Sequence, residues 1–286
     1  MKIAVFPETC AIAGRPVMQA FIKSLQGENY VICKNNDRPD ADVVVIWSVL
    51  LNLYGRKPIY EYYKSQGKKI LVLEVGGLKR NQSWRIGING INAVADFANQ
   101  DADDQRLSKF NLNPKPWRKS GDYIVICTQN ENSEAWLPGP THSWVEQKVQ
   151  WIRSQTDRKI LLRPHPRFKV NLNHVLLTYT DVELNMPKYV GKDDEVDFKK
   201  ILQNAHAVVN FNSNPAIESV LEGVPVYVDD TSLCRPIGNP IGSDIENPAM
   251  PDRNDWCKKL SYCEWFIDEI EQGVPWKRMK QNLING

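Results

Sequence analysis

The sequence predicts an α/β protein of two domains, each built around a mainly parallel sheet. Short apolar runs typical of buried strands alternate with segments of helical spacing, which is the pattern of parallel sheets covered by helices on both faces. A polar stretch, residues 99–121, interrupts this alternation with a run of charges and two closely spaced prolines. The alternation then starts again, and 286 residues suffice for two domains. We therefore predict an N-terminal domain over residues 1–120 and a C-terminal domain over residues 121–286.

Composition and charge exclude several classes of protein. The hydrophobic content of 42% and the charged content of 24% are ordinary for a globular domain. No apolar run approaches the ~20 residues of a membrane span, and the first ten residues lack the pattern of a secretory signal. We therefore expect a cytoplasmic protein with no integral membrane association. A net charge of +2 permits an anionic partner without requiring one.

Cysteines and histidines give no sign of a metal site. Six cysteines are scattered without the spacing of metal ligands, and no two of the four histidines have the spacing of a zinc pair. We expect reduced cysteines and no essential metal.

The elements of the first domain follow from apolar runs and helical periodicity. The predicted strands are Lys2–Phe6, Tyr30–Cys33, Asp42–Trp47 and a run that ends at Glu74. Helices are predicted over Pro16–Leu25, where apolar residues recur at helical spacing, and from about Lys57 to Ser65. The segment after Glu74 is either a ligand-binding stretch or a solvated loop with a helix to follow.

The second domain repeats this pattern. The predicted strands are Asp122–Gln129, a run from Arg158 towards Arg167, Ala207–Phe211 and Val224–Val228. The predicted helices are Trp144–Arg153, Val196–Ala205, one that follows Asn214, and a tail helix from about Pro275 to Leu283.

The stretch Ala207–Asp230 carries the strongest functional signal. It predicts a strand, a polar loop, a helix that Pro215 begins and Gly223 ends, and a second strand. Free amides and the positive end of the dipole at the start of such a helix favour an anion. The alternative is a half-domain without a ligand, in which Glu218 is a solvated helix residue.

The pattern N-S-x-x-x-I-E-S-V-x-x-G-V-P-V, which starts at Asn212, resembles the donor-binding signature of GT-B-type nucleotide-sugar glycosyltransferases. The resemblance implies a GT-B-like fold of two Rossmann-like domains that face a cleft, with a nucleotide-sugar as co-substrate, UDP-sugar favoured. It implies that Asn212, Ser213 and Asn214 contact the donor phosphate. It implies that Glu218 contacts the ribose and that Asp229 or Asp230 contacts the sugar. The histidine that opens the plant-type signature is absent here. GT-B enzymes often return their last helix to the first domain; the tail helix either does so or lies on the surface.

A second motif lies earlier in the same domain. Arg163, His165 and Arg167 bracket two prolines, which fix an extended backbone and can hold the three side chains towards one point. The motif is similar to the histidine-proline motif of bacterial capsule and sialic-acid transferases, which implies that it contacts the donor phosphate. The alternative is that His165 only packs within its loop.

In the first domain, Glu8 and Glu74 each lie at the end of a predicted strand, where open α/β sheets place ligands. We predict Glu74 as the catalytic base and Glu8 as the second candidate. Gly76 and Gly77 permit the close approach of another molecule. The basic and aromatic residues that follow suit a sugar, a phosphate or a nucleobase and are predicted to bind the acceptor: Lys79, Arg80, Trp84 and Arg85.

The first-domain motifs W-S-x-L, from Trp47, and E-x-G-G-L-x-R, from Glu74, look like those of small phage-encoded relatives of capsule transferases. Some of these proteins place sugars on hydroxymethylated DNA bases. The resemblance implies a glycosyltransferase of the host cytoplasm whose acceptor is 5-hydroxymethylcytosine in double-stranded phage DNA. Three alternatives stay open: a capsule or lipopolysaccharide glycosyltransferase, a CDP-polyol phosphotransferase, and a nucleotide-binding or nucleic-acid-binding module without catalysis.

Overall fold

The structure, a computed structural model, describes residues 1–50, 53–166, 168, 170–188 and 195–285. The chain divides into two compact units. The first comprises Met1–Leu112 together with Asp255–Gly286, and the second comprises Asn113–Asn254. The predicted boundary at residue 120 thus lies within the second unit, and the tail helix belongs to the first.

The first 112 residues contain five strands and three α-helices within their described part. In chain order they are β1 (Lys2–Val5), α1 (Arg15–Ser24), β2 (Asn29–Ile32), β3 (Val43–Trp47), α2 (Arg56–Ser65), β4 (Lys69–Val75), β5 (Ser83–Ile88) and α3 (Leu107–Phe110).

The second unit and the C-terminal segment follow. Their elements are β6 (Tyr123–Cys127), α4 (Thr141–Arg153), β7 (Lys159–Arg163), α5 (Asn173–Thr178), β8 (Val182–Leu184), α6 (Glu195–Leu202), β9 (Ala205–Asn210), α7 (Pro215–Leu221), β10 (Val226–Val228), β11 (Asn239–Pro240), α8 (Asn254–Ser261), β12 (Glu264–Phe266), α9 (Ile267–Glu271) and α10 (Val274–Asn285).

Each unit is built on a six-stranded sheet. The first sheet has the order β12-β5-β4-β3-β1-β2, and its four strands from β4 to β2 are parallel. β5 pairs antiparallel with β4, and β12 pairs antiparallel with β5. The second sheet, in the order β11-β10-β9-β6-β7-β8, is parallel throughout. The prediction of two mainly parallel sheets is confirmed.

Both faces of the central strands are buried, which explains why they read as continuous apolar runs. Along β3, Val43, Val45 and Trp47 pack into one hydrophobic core, whereas Val44 and Ile46 pack into another on the opposite face.

The alternative that the segment after Glu74 is a solvated loop with a helix to follow is wrong for Ser83–Ile88, which forms β5. Its backbone pairs antiparallel with β4, Val75 opposite Trp84 and Leu71 opposite Ile88. Arg85 and Gly87 break the apolar run, so its sequence lacks a strand signal. Tertiary pairing decides its conformation.

The C-terminal segment completes the core of the first unit. Trp265, Trp276 and Met279 are buried in the same core as α1 and β3. Arg106 ties this segment to the preceding chain: its guanidinium donates two hydrogen bonds to the carboxylate of Glu269, at 2.6 and 3.0 Å, and one to the carbonyl oxygen of Ser261 at 3.0 Å. Burial alone would raise the pKa of Glu269, but hydrogen bonds from Arg106, Lys109 and the Phe266 amide lower it to about 2.

Because of this ion pair, the stability of the first unit should decrease as the pH falls into the acid range. Because the pKa of Glu269 in the folded protein lies below its ordinary value of 4.5, its contribution is present above pH 4.5 and is lost as the pH falls towards 2. We expect Glu269→Gln to lower the free energy of unfolding at pH 7 by roughly 3 kcal/mol and to flatten its decline between pH 4.5 and 2. Urea unfolding at several pH values measures both effects.

The matched control is Glu271→Gln, because Glu271 pairs with Lys23 where both side chains are exposed. That change should cost under about 1 kcal/mol. An acid decline in Glu269→Gln as steep as in the wild type would contradict the assignment to Glu269.

Candidate functional site

The loops that carry the predicted donor residues lie at one edge of the second sheet. β9, β6 and β7 are adjacent and parallel, and Cys127 of β6 is level with Asn210 of β9 and Arg163 of β7. β10 continues the parallel order beside β9. The segments that leave these strands therefore emerge side by side, at the edge where open α/β sheets bind ligands.

The serine loop, residues 211–214, is shaped by a buried asparagine. Asn210 has no exposed surface; its side-chain oxygen accepts from the amide of Ser213 at 2.9 Å and its nitrogen donates to the Ser213 hydroxyl at 2.8 Å. The hydroxyl oxygen of Ser213 is thus an acceptor in this bond, and its own proton has no recorded acceptor among the described residues. Helix α7 starts at Pro215, as the sequence predicts. Glu218 lies half-buried in this helix.

Asn212 is placed at the predicted edge, but both donor bonds of its side-chain amide are made within the protein. Its nitrogen donates to the carbonyl oxygen of Ala135 at 3.0 Å and to the hydroxyl of Thr231 at 2.9 Å. The Thr231 hydroxyl in turn donates to Asp229 at 2.7 Å. Only the amide oxygen of Asn212 is unused, and it is buried without a partner among the described residues. An amide oxygen can only accept a hydrogen bond, so it cannot donate to a phosphate. The side chain of Asn212 instead connects its own loop to the loops that contain Ala135 and Thr231.

The two predicted sugar-binding aspartates have different surroundings. Asp229 is half-buried and accepts from the amide of Thr231 at 3.0 Å as well as from its hydroxyl. Asp230 is exposed and forms an ion pair with Arg235. Of the two, Asp229 is held in the loop at the edge of the sheet.

The histidine-proline loop, which follows β7, is hydrogen-bonded to the loop that follows the neighbouring strand β6. The amide of His165 donates to the hydroxyl of Thr128 at 3.0 Å, which joins the loop after β7 to the loop after β6. The His165 side chain is half-buried. Arg167 lies outside the described residues.

Arg163 is bound within the protein. The side chain is 4% exposed and its guanidinium donates to Asp197 at 3.0 Å and to the side-chain oxygen of Asn185. Burial alone would raise the pKa of Asp197, but the hydrogen bond and charge of Arg163 lower it overall. The charge of Arg163 is therefore paired with Asp197 of α6, and this position gives no direct support to its predicted phosphate contact.

In the first unit, the two candidate bases differ in burial. Glu8 is exposed, and its carboxylate accepts from the amide of Asn35 at 3.0 Å. Glu74 is only 7% exposed, and accepts from the hydroxyl of Ser48 and from the amide of Val75 at 2.7 Å. Burial raises the pKa of Glu74 above its ordinary value, against the hydrogen bonds and the charges of Arg56 and Arg85. A buried carboxylate with a raised pKa is a stronger base than an exposed one.

The prediction that Arg85 binds the acceptor is not supported by its position. Arg85 is 5% exposed and donates to the carboxylate of Glu264, a fully buried residue, at 2.9 Å. The same carboxylate accepts from the amides of Gly77 at 2.7 Å and Leu78 at 3.0 Å. A Cβ on Gly76 would lie 2.3 Å from it. The close approach that Gly76 and Gly77 permit is thus made by the side chain of Glu264 of the same chain.

The other predicted acceptor residues lie in or just after this loop. Lys79 and Arg80 are half-buried in it, and Trp84 is half-buried against the core of the first unit.

Several residues of these two edges escaped the sequence analysis. Ser48 and Thr128 directly follow strands, so the positional rule that identified Glu8 would have found them. Arg56 is a buried cation whose Nε donates to the carbonyl oxygen of Thr9 at 2.8 Å. Glu264 meets Arg85 across 179 residues of chain, and no local pattern announces such a pair.

Within the part of the chain that the structure describes, no three histidine, cysteine, aspartate or glutamate side chains converge on a possible metal position. No described helix has the length and apolar character needed to cross a membrane.

Comparison with known proteins supports the fold. No protein-family model and no curated protein sequence matches the chain. Among solved structures, it is similar to KpsC from Thermosulfurimonas dismutans. The beta Kdo 2,7 transferase of that protein is 12% identical with a TM-score of 0.57, over 97% of this chain and all (100%) of the other. The beta Kdo 2,4 transferase is 11% identical with a TM-score of 0.52, over 95% of this chain and 98% of the other.

The chain has a GT-B-like fold. This confirms the fold class that the donor-type signature implied. At 11% and 12% identity this similarity shows the fold alone. Any activity has to be argued from the residues described above.

We expect the buried Asn210 to be required for the shape of the serine loop. Asn210→Ala removes both of its bonds to Ser213, so it should lower the free energy of unfolding by roughly 1–3 kcal/mol. Chemical unfolding measures this loss. Asn247→Ala is the control, since Asn247 is exposed and bonds only locally to Asp244 at 2.9 Å. Equal losses in the two variants would contradict the structural role of Asn210.

Proposed function

We propose that the protein is a glycosyltransferase that moves a sugar from a nucleotide-sugar to a hydroxyl acceptor. The observation that carries this proposal is the arrangement of the second unit. The histidine-proline loop after β7 and the serine loop after β9 are far apart in sequence, yet they flank β6 at one edge of a parallel sheet. Two motifs that resemble donor-phosphate contacts thus lie side by side in a GT-B-like fold.

On this proposal the second unit binds the donor. Ser213 offers a hydroxyl proton to the diphosphate, His165 and Arg167 oppose its charge, and Glu218 and Asp229 accept hydrogen bonds from ribose and sugar hydroxyls. Asn214 and the exposed Asp230 complete the predicted donor set. A UDP-sugar is the favoured donor. No metal is needed, because cationic and hydrogen-bonding side chains of the chain stabilise the leaving group.

The first unit supplies the base. Glu74 takes the proton of the acceptor hydroxyl while the oxygen of that hydroxyl forms a bond to the anomeric carbon of the sugar. The bond from that carbon to the phosphate oxygen breaks, and its electron pair leaves with the nucleoside diphosphate. Glu74 is buried and has no directly bonded cation among the described residues, which makes its carboxylate a suitable acceptor for this proton.

For the acceptor, a saccharide hydroxyl is favoured. The two KpsC structures of similar fold are Kdo transferases by name. The pairing of Arg85 with Glu264 also removes one cation from the set predicted to contact DNA. The second candidate is the hydroxymethyl group of 5-hydroxymethylcytosine in duplex DNA. Lys79 and Arg80 favour it, since a flipped base needs cationic contacts near the acceptor site.

One experiment tests both acceptors. The protein is incubated with a panel of sugar nucleotides and either oligosaccharides or hydroxymethylcytosine-containing duplex DNA, and products are analysed by mass spectrometry. A pentose or hexose increment on one acceptor identifies it and the donor. No increment on any acceptor, with a nucleoside diphosphate still raising the Tm, would overturn transfer and favour a binding module.

Ser213→Ala should weaken nucleoside diphosphate binding. Loss of one hydrogen bond to a charged group is worth about 1.5–3 kcal/mol, or roughly a 10-fold to 100-fold rise in Kd. Titration with UDP and CDP measures this and separates a uridine from a cytidine donor. Ser243→Ala, at an exposed turn, is the control and should leave Kd unchanged.

Glu74→Gln should lower kcat by roughly 10²–10⁴ and leave the Kd for nucleotide unchanged. In the wild type, kcat should rise with pH through a value above the ordinary 4.5 of a glutamate, because burial raises the pKa and the base must be ionised. Glu8→Gln is the matched control on the same edge of the sheet. If it abolished transfer while Glu74→Gln did not, the two roles would be reversed.

A further inference from the structure

Ser48, the residue that follows β3, has an unusual backbone. Its φ is 61°, in the left-handed region that serine rarely adopts, and its side chain is only 3% exposed. A non-glycine residue in this conformation costs about 1–3 kcal/mol and persists only where its surroundings hold it. Such strain at the carboxyl end of a strand is a reason to ask what the residue does there.

Three hydrogen bonds hold Ser48 in this conformation. Its amide donates to the carbonyl oxygen of Leu73 at 2.7 Å, one step beyond the pairing of Trp47 with Leu73. Its hydroxyl donates to the carboxylate of Glu74 and accepts from the amide of Leu50 at 3.1 Å. The Leu50 amide thus orients the hydroxyl, and the hydroxyl proton is directed at Glu74.

We infer that Ser48 is a positioning residue for Glu74, and that its left-handed backbone is retained because only this conformation directs the hydroxyl proton at the buried carboxylate. The inference deepens the proposed function and rests on it for the role of Glu74. The contact itself does not depend on that role.

The charged groups around Glu74 do not replace Ser48. Arg56 of α2 and Arg85 of β5 act on the carboxylate as charges, whereas Ser48 is its only side-chain hydrogen-bond donor among the described residues. Arg56 donates to the Thr9 carbonyl oxygen and lies near Cys10, and Arg85 is paired with Glu264. The recorded hydrogen bonds of the two arginines thus go to groups other than Glu74, and both act on it through charge alone.

Loss of the hydroxyl has a defined consequence. The bond from Ser48 stabilises the ionised form of Glu74 and so opposes the rise in pKa that burial causes. Without it the pKa of Glu74 moves further up, the base is protonated over a wider pH range, and the acid limb of kcat moves to higher pH.

The test compares Ser48→Ala with Ser48→Gly. Both remove the hydroxyl, but glycine adopts a φ of 61° freely and alanine does not. We expect both to raise the pKa of Glu74 by about 1–2 units, and Ser48→Gly to be the more stable of the two. The pKa is read from ¹³C NMR titration of carboxyl-labelled glutamate, assigned with Glu74→Gln, and the acid limb from kcat against pH.

Ser83→Ala is the matched control. The Ser83 hydroxyl is also buried and donates to a buried carboxylate, Glu264, at 2.8 Å. This variant should lose stability while Glu74 titrates as in the wild type.

Unchanged titration of Glu74 in both Ser48 variants, or an equal shift in Ser83→Ala, would overturn the inference. A shift confined to the Ser48 variants supports it even if no sugar transfer is detected, in which case the proposed function alone fails. If Ser48→Ala does not fold, Ser48→Gly gives the same readout without the backbone strain.

Discussion

Parallel strand pairing is the constraint on which both candidate sites depend. In a parallel sheet every strand ends at the same edge, so residues distant in sequence are brought together wherever their strands are neighbours. In the second sheet β9, β6 and β7 are adjacent, and this alone places the serine loop, Thr128 and His165 next to one another. In the first sheet the pairing of β3 with β4 places Ser48 against Glu74 in the same way.

Three buried carboxylates in the first unit differ in the groups that hydrogen-bond to them. Glu264 and Glu269 each receive guanidinium hydrogen bonds, from Arg85 and Arg106, and they hold the C-terminal segment in place. Removing one partner of a buried pair of this kind is strongly destabilising, because it leaves the other charge buried and unpaired. Glu74 is as buried as Glu269 but has only a hydroxyl and a backbone amide as bonded partners in the described structure. Burial therefore dominates and raises the pKa of Glu74, whereas hydrogen bonding dominates at Glu269 and lowers it.

At the edge proposed to bind the donor, two motif residues have structural partners. Arg163 and Asn212 carry side chains suited to a ligand, yet their donors are used within the protein, by Asp197 and by the loops around Thr231. Arg163 and Asn212 thus hold the loops in place. The groups that remain for a ligand lie on these loops, and the hydroxyl proton of Ser213 is one of them. A motif residue can thus be needed at a site without touching the ligand, because the free energy of its hydrogen bonds goes into holding the neighbouring loop.

The sequence by itself determined the two parallel sheets, the start of α7 at Pro215 and the edges at which candidate residues lie, since apolar runs, caps and strand ends are local signals. Tertiary structure decided which side chains are paired within the protein and which remain for a ligand. The strand β5, the Arg85–Glu264 pair and the inclusion of residues 255–286 in the first unit all depend on partners distant in sequence. The left-handed Ser48 is likewise set by its bonds to β4 and to the turn that follows. Burial and ion pairing are properties of the folded environment, and a pattern of residue types along the chain does not contain them.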